Sequence, residues 1–324
     1  MLNEFSLIAR YFTPRTQHTL LGAGDDAALI RPRRGYVLAI SADMLVEGRH
    51  FFKGADAEAL GHKALAVNLS DLAAMGATPR WATLALALPK VDTRWLAAFS
   101  RGFMRLARAH NVDLIGGDTT RGPLNLCVQI MGEVPAHKAL RRDGARVGND
   151  IWVSGTLGDA ALAVAARNRK IKINKKQLVA ATLRLDKPTP RVDLGLALRG
   201  IATSAIDISD GLLADLGHIC ERSGVNAKID VEALPLSPVL QPLRHSRAGE
   251  RLFLAGGDDY ELCFTVPPTR ATSVLKAGIR AGVAVTRVGQ IHKRQSSRKG
   301  LVEVLSAQGL ALKLDGVTGF DHFG

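Results

Sequence analysis

IGGDTTRGP, residues 115–123, is the stretch on which the reading of this chain turns. An apolar run at 112–115 leads in as a buried strand. Gly116 and Gly117 then let the backbone turn and approach something closely. Asp118 follows, with hydroxyls at Thr119 and Thr120 and a guanidinium at Arg121. Gly122 and Pro123 close the turn, and residues 124–131 read as the next strand. Taken alone, the nonamer is either a polar turn between two strands or a site for a metal and a phosphate together.

Small residues with an acid recur outward from this point. GAGDDA at 22–27 sets Asp25 beside Asp26 in a flexible loop. Its match to a dinucleotide fingerprint lacks the helix that should follow, because Arg31-Pro32-Arg33 interrupts. Residues 36–40 read as a strand ending in Ser41-Ala42-Asp43, and the loop 46–52 carries Glu47 and His50. Residues 55–75 are helical and apolar on several sides, with Asn68, Ser70 and Asp71 embedded among them. A buried carboxylate there needs a partner or a metal; a face open to solvent needs neither.

In the second half, the strand 150–154 runs into Gly155-Thr156-Leu157-Gly158, which is phosphate-loop-like without the Walker A lysine. The strand 202–206 delivers Asp207-Ile208-Ser209-Asp210-Gly211. Its two acids, three apart across a strand-to-helix turn, can face one point, and Ser209 or Asp210 can cap the helix 212–223. Residues 258–261 add Asp258-Asp259-Tyr260-Glu261. If these acids converge, their repulsion demands cations. Mg²⁺ is the natural neutraliser, because it takes oxygen ligands and bridges to substrate phosphates. There is no His/Cys cluster for zinc, no GxSxG elbow and no kinase lysine motif. The chemistry indicated is metal-centred phosphoryl transfer.

The chain has 324 residues, 47% hydrophobic and 23% charged, enough for one large or two ordinary domains. Strand and helix alternate, giving an α/β class. A basic connector with Lys138, Arg141, Arg142 and Arg146 ends at Gly148, and the expected domains are residues 1–148 and 149–324. Cys127, Cys220 and Cys263 are far apart in apolar or helical contexts, as buried thiols of a reducing, cytosolic compartment would be. No stretch suits a signal peptide or a membrane span. The net charge of +13 invites a nucleic-acid partner. The basic runs at 167–176 and 287–299 lack the interleaved aromatics of single-strand binding, so solvated faces are expected there instead.

Six segments together resemble the thiamine-monophosphate kinase family nearly end to end. They are GDDAAL at 24–29, SADMLVEGRHF at 41–51, KALAVNLSDLAAMGATP at 63–79, IGGDTTRGP at 115–123, AIDISDGLLADLGH at 205–218 and GGDDYELCFT at 256–265. The resemblance implies an N-terminal α/β domain whose strands build a barrel across a homodimer, a C-terminal α/β domain, and transfer from ATP to thiamine monophosphate. The superfamily also holds aminoimidazole ribonucleotide synthetase and selenophosphate synthetase. The latter carries a reactive Cys near its N-terminus, whereas the first cysteine here is Cys127. By motif, the metal site of several Mg²⁺ ions would be Asp26, Ser41, Ala42, Asp43, Asp71, Asp118, Asp207 and Asp210, with Ala42 serving through its backbone carbonyl or a water. Gly117, Asp118, Arg142 and Ser209 would contact the nucleotide, and His50, Asp258 and Phe320 would line the thiamine side. Ala42 stands where the family often has threonine, and Asp258 where it often has glutamate.

Overall fold

The computed structural model describes residues 4–294, 301–312 and 319, which divide between two units: Met1–Leu72 with Ala77–His137, and Ala73–Gly76 with Lys138–Gly324. The first holds α1 (Glu4–Tyr11), a short antiparallel pair β1 (Thr19–Leu21) and β2 (Leu29–Ile30), then β3 (Tyr36–Val46), α2 (Ala57–Ala74), β4 (Thr78–Leu88), α3 (Thr93–Ala109), β5 (Asp113–Arg121) and β6 (Asn125–Pro135). Its four-stranded sheet has the order β3-β6-β4-β5. β4 and β5 run parallel across the α3 crossover, and β6 is antiparallel to both β3 and β4. α2 is rich in Ala and Leu, good helix formers, and residues 63–70 are all buried. α3 is started by Asp92, whose carboxylate accepts the N–H groups of Arg94 and Trp95. It buries Leu96, Phe99 and Phe103. The two helices cross closely because Gly102 has no side chain: a Cβ there would stand 1.9 Å from the Glu58 carbonyl oxygen.

Two local readings are corrected by this sheet. β3 does not end at Ile40; it pairs with β6 from Tyr36↔Pro135 to Val46↔Asn125, so Ser41, Ala42 and Asp43 are mid-strand. The GGDTTR segment is not a turn either. It is the edge strand β5, paired with β4 out to Leu88↔Arg121. Ladder hydrogen bonds supplied by neighbours far away in sequence override the local turn signal. The register slips where Leu114 faces Ala82 and Gly116 faces Thr83. Ile115 is the extra residue of this bulge, and it packs with Trp81 and Met131.

The second unit holds β7 (Asp150–Ser154), α4 (Asp159–Arg167), α5 (Lys175–Asp186), α6 (Val192–Leu198), β8 (Ser204–Ile208), α7 (Leu212–Ser223), β9 (Val225–Asp230), α8 (Arg247–Ala255), β10 (Glu261–Val266), α9 (Ala271–Ala281), β11 (Val285–Lys293) and β12 (Val302–Leu305). Its six strands are ordered β12-β9-β11-β7-β10-β8, antiparallel except for β12 on β9. β7, β10 and β8 are buried along their whole length, which explains their continuous apolar character. The connector expected to close the first domain groups instead with this unit. Its backbone finds partners there: Ala205 N–H donates to Arg141 O, Ser223 Oγ to Arg142 O, and Gly148 N–H to Ile291 O.

Candidate active site

In the first unit, β5 carries its polar residues along the free edge of the sheet. Gly117 has φ +151°, and a Cβ there would lie 1.8 Å from the carbonyl oxygen of Leu84. Only glycine lets β5 run this close to β4 while Asp118 and Thr119 line a cavity of about 630 Å³. That volume suits a small-molecule site, in the range of about 300–1,000 Å³. The cavity wall also holds Asp25 and Asp26, with Ile8 and Phe12 as an apolar side. The IGGDTTRGP and GAGDDA segments thus meet. Asp113 acts differently. Buried at the head of β5, it accepts the N–H groups of Gln17 and His18 and the Thr19 hydroxyl, and so ties the segment leading into β1 to the sheet.

The strand β3 sends Ser41 and Asp43 to one face and Ala42 to the other. Ser41 Oγ donates to Asp71 Oδ2 at 2.5 Å, across to α2. Asn68, one turn earlier on α2 and fully buried, accepts the Asp43 N–H at 3.2 Å and donates to Ala64 O at 3.0 Å. An Asn three residues before an Asp on one helix face was the available signal for this role. Ala42 is exposed opposite Gln129, so its methyl is turned away from Ser41 and Asp43. His50 Nδ1 accepts the Val46 N–H at 3.0 Å, which makes Nε2 the protonated nitrogen of the neutral ring.

In the second unit, Asp207 is buried at the end of β8, and the chain then turns through Ser209 and Asp210. Neither caps α7, whose first flanking residue is Gly211. Asp215, from inside the first turn of the helix, reaches back to the turn that precedes it. Its Oδ2 accepts the N–H groups of Ser209, Asp210 and Gly211 at 3.0, 3.1 and 3.1 Å. Burial and the nearby Asp210 charge push the Asp215 carboxyl up to about 7, against the pull of those N–H groups. The Ser209 and Asp210 side chains are therefore not spent on capping. The turn also meets the GGDDYE loop: Asp258 N–H donates to Ser209 O at 2.9 Å and Tyr260 N–H to Ile208 O at 2.8 Å. Arg142 is exposed in the connector, and Phe320 lies outside the described residues.

The phosphate-loop reading of Gly155 to Gly158 fails. The N–H groups of Gly155 and Leu157 go to the carbonyls of Ala284 and Pro235, and that of Gly158 to the Asp259 carboxylate, so the loop is committed internally. Full burial drives the Asp259 carboxyl well above its ordinary range. Glu261, also fully buried, accepts Ser154 Oγ, Arg184 Nη2 and a two-point contact from Arg191, at 2.5–2.6 Å. These two acids of the motif are structural.

Among the described residues no three His, Cys, Asp or Glu side chains gather as a ready-made metal cage. Mg²⁺ bound through one or two carboxylates plus substrate phosphates needs none. The donors at hand are all oxygens, and Asp71 is already directed by Ser41, which fits that ion.

Residues 24–134 match the family AIR synthase related protein, N-terminal domain, and residues 146–301 its C-terminal domain. Fold and site therefore define a two-domain α/β protein of the AIR synthase related class. Thiamine-monophosphate kinase of Salmonella typhimurium is 47% identical, over 99% of this chain and 98% of that protein. The structure of thiamine-monophosphate kinase from Stenotrophomonas maltophilia superposes with a TM-score of 0.86 at 47% identity, covering 96% of this chain and 98% of that one. A structure described as AaThiL complexed with AMPPCP and TMP gives 0.77 at 30% identity, covering 90% and 89%. The chain belongs to the thiamine-monophosphate kinase family.

Proposed function

We propose that the reaction of this family, ATP-dependent phosphorylation of thiamine monophosphate to thiamine diphosphate, runs here as a direct in-line transfer assisted by Mg²⁺. The observation that carries this reading is the cavity of about 630 Å³ in which Asp25, Asp26 and Asp118 stand beside the bare backbone of Gly117. A phosphate monoester has a second pKa near ~6, so its nucleophilic oxygen is already ionised at neutral pH. No dedicated general base is required. The difficulty is bringing one anion to another.

In this reading Gly117, Asp118, Arg142 and Ser209 contact the nucleotide, and His50, Asp258 and Phe320 line the thiamine side. Asp26, Ser41, Asp43, Asp71, Asp118, Asp207 and Asp210 offer oxygens to metal. When bound, Mg²⁺ screens the phosphates of both substrates and withdraws charge from the transferring group. Ser41 and Asn68 hold Asp71 and the backbone of Asp43 in place for this. A coupled assay of ADP release tests the reading. Release that depends on thiamine monophosphate and Mg²⁺ is expected, with free thiamine a poor acceptor. Equal turnover of free thiamine would remove the phosphate-as-nucleophile argument.

A second copy of the chain is the proposed cover for the open face of the first sheet. Ile40 and Met44 lie on one face of β3 with Ala42 and are 57% and 55% exposed, and four strands from each copy would close a barrel. Light scattering should give a dimer for the wild type and a monomer for Ile40→Asp; a monomeric wild type refutes this. Among the described residues no helix is long and apolar enough to cross a membrane. The buried thiols Cys220 and Cys263 suit a reducing, cytoplasmic setting.

A further inference from the structure

The GGDDYE loop carries two non-glycine residues in left-handed backbone, Asp258 at φ +70° and Tyr260 at φ +50°. An Asp tolerates that region; a bulky Tyr rarely adopts it, and such outliers gather where surrounding structure imposes them. Here the imposing contacts are visible. The N–H groups of both residues are held by the β8 end, through Ser209 O and Ile208 O. Between them Asp259 is drawn inward onto Gly158 N–H. The result brings residues 258 and 260 together, and the Tyr260 hydroxyl donates to Asp258 Oδ1 at 3.0 Å. The Tyr260 ring is buried, while Asp258 is only half-buried.

We propose that Tyr260 is a positioning residue, whose hydroxyl fixes the direction in which Asp258 is offered to the cationic, hydrogen-bond-donating thiamine portion of the substrate. This rests on the reading of Asp258 as a contact on the thiamine side. The chemistry is simple. An aspartate has two side-chain torsions, and donation to one oxygen restrains both. The carboxylate is then presented with its direction already set before binding, which lowers the entropic cost of the contact. The backbone strain at Tyr260 is the cost of putting the hydroxyl where it can do this.

The test is a double-mutant cycle on the full chain, with Asp258→Ala, Tyr260→Phe and the pair, read by steady-state kinetics for each substrate and by thermal melts. Tyr260→Phe retains ring and backbone and removes only the hydroxyl. It should raise KM for thiamine monophosphate about tenfold, the scale of one lost hydrogen bond to a charged group, with KM for ATP and the melting temperature nearly unchanged. In the Asp258→Ala background the same substitution should have no further effect, because the hydroxyl acts through the carboxylate. If Asp258→Ala raises KM for thiamine monophosphate but Tyr260→Phe does not, the inference is overturned and the reading of Asp258 stands. If Asp258→Ala leaves that KM unchanged, the assignment of Asp258 fails, and the inference with it. A Tyr260→Phe effect of equal size on both backgrounds, or one confined to the melting temperature, overturns it as well.

Discussion

Gly117→Ala tests whether the β5 edge is shaped by the absence of a side chain. The added Cβ would stand 1.8 Å from the Leu84 carbonyl oxygen, 2.6 Å from its carbon and 2.9 Å from its nitrogen. All three are backbone atoms of β4, which is paired on its other side with β6, so β4 cannot yield. β5 must therefore move outward by about 1.2 Å to bring the closest contact from 1.8 Å to 3.0 Å. Alanine also has to adopt φ +151° or give it up. Overpacking of this kind costs about 1–3 kcal/mol. The same shift displaces Asp118 relative to the rest of the cavity lining, and a displacement of about 1 Å at a reacting site costs on the order of a hundredfold in rate. Gly116→Ala supplies the stability comparison, because a Cβ there meets nothing within 4 Å. Both proteins are assayed for ADP release and melted. Gly117→Ala should melt lower and lose about a hundredfold in kcat/KM, whereas Gly116→Ala should melt like the wild type. A Gly117→Ala enzyme with wild-type stability and turnover would mean that the site does not depend on the bare backbone at this position.

Three further outcomes follow from the same geometry. Asp71→Asn keeps an oxygen for the Ser41 hydroxyl, so its melting temperature should hold while turnover collapses at low Mg²⁺; near-normal turnover at modest Mg²⁺ would make Asp71 an ordinary helix residue. Asp215→Ala leaves the N–H groups of Ser209, Asp210 and Gly211 without their acceptor and should speed their hydrogen exchange and cut kcat, whereas Asp215→Asn, which retains one carbonyl oxygen, should recover most of both; equal damage from the two would mean that charge, not the turn, matters. For Glu133, burial pushes the carboxyl up, but Arg33 N–H and the Arg80 and Arg33 side chains outweigh it and hold it below its ordinary 4.5. The unfolded chain then binds the proton first as pH falls, so this stabilisation is complete above 4.5 and is lost as pH drops through the folded value. Urea unfolding from neutral into acid pH should show a shallower acid loss in Glu133→Gln than in the wild type; identical slopes would dismiss the ion pair as a contributor.

Much of this protein is written locally. The bounds of β7, α7, α9 and β12 are read directly from apolar period and flanking Gly or Pro, because each segment's own propensity agrees with its final environment. The acids at 26, 43, 71, 118, 207, 210 and 258 are conspicuous in the sequence because so many carboxylates recur beside small residues or strand ends. Tertiary structure decided the rest. Residues 116–121 look like a turn and become an edge strand, since only β4, on the far side of the α3 crossover, can supply the ladder partners. Ser209 and Asp210 look like helix caps, yet Gly211 takes the cap position, and the Asp215 carboxylate reaches back from within the helix to the N–H groups of Ser209, Asp210 and Gly211. Gly155 to Gly158 resembles a phosphate loop, but its N–H groups are claimed by the carbonyls of Ala284 and Pro235 and the carboxylate of Asp259, all far along the chain. A backbone donor carries no mark in the sequence of who will accept from it. Local pattern can announce that a group is polar, glycine-rich or helical; whether that group is spent on the fold or left for a ligand depends on contacts that only the folded chain brings within about 3 Å.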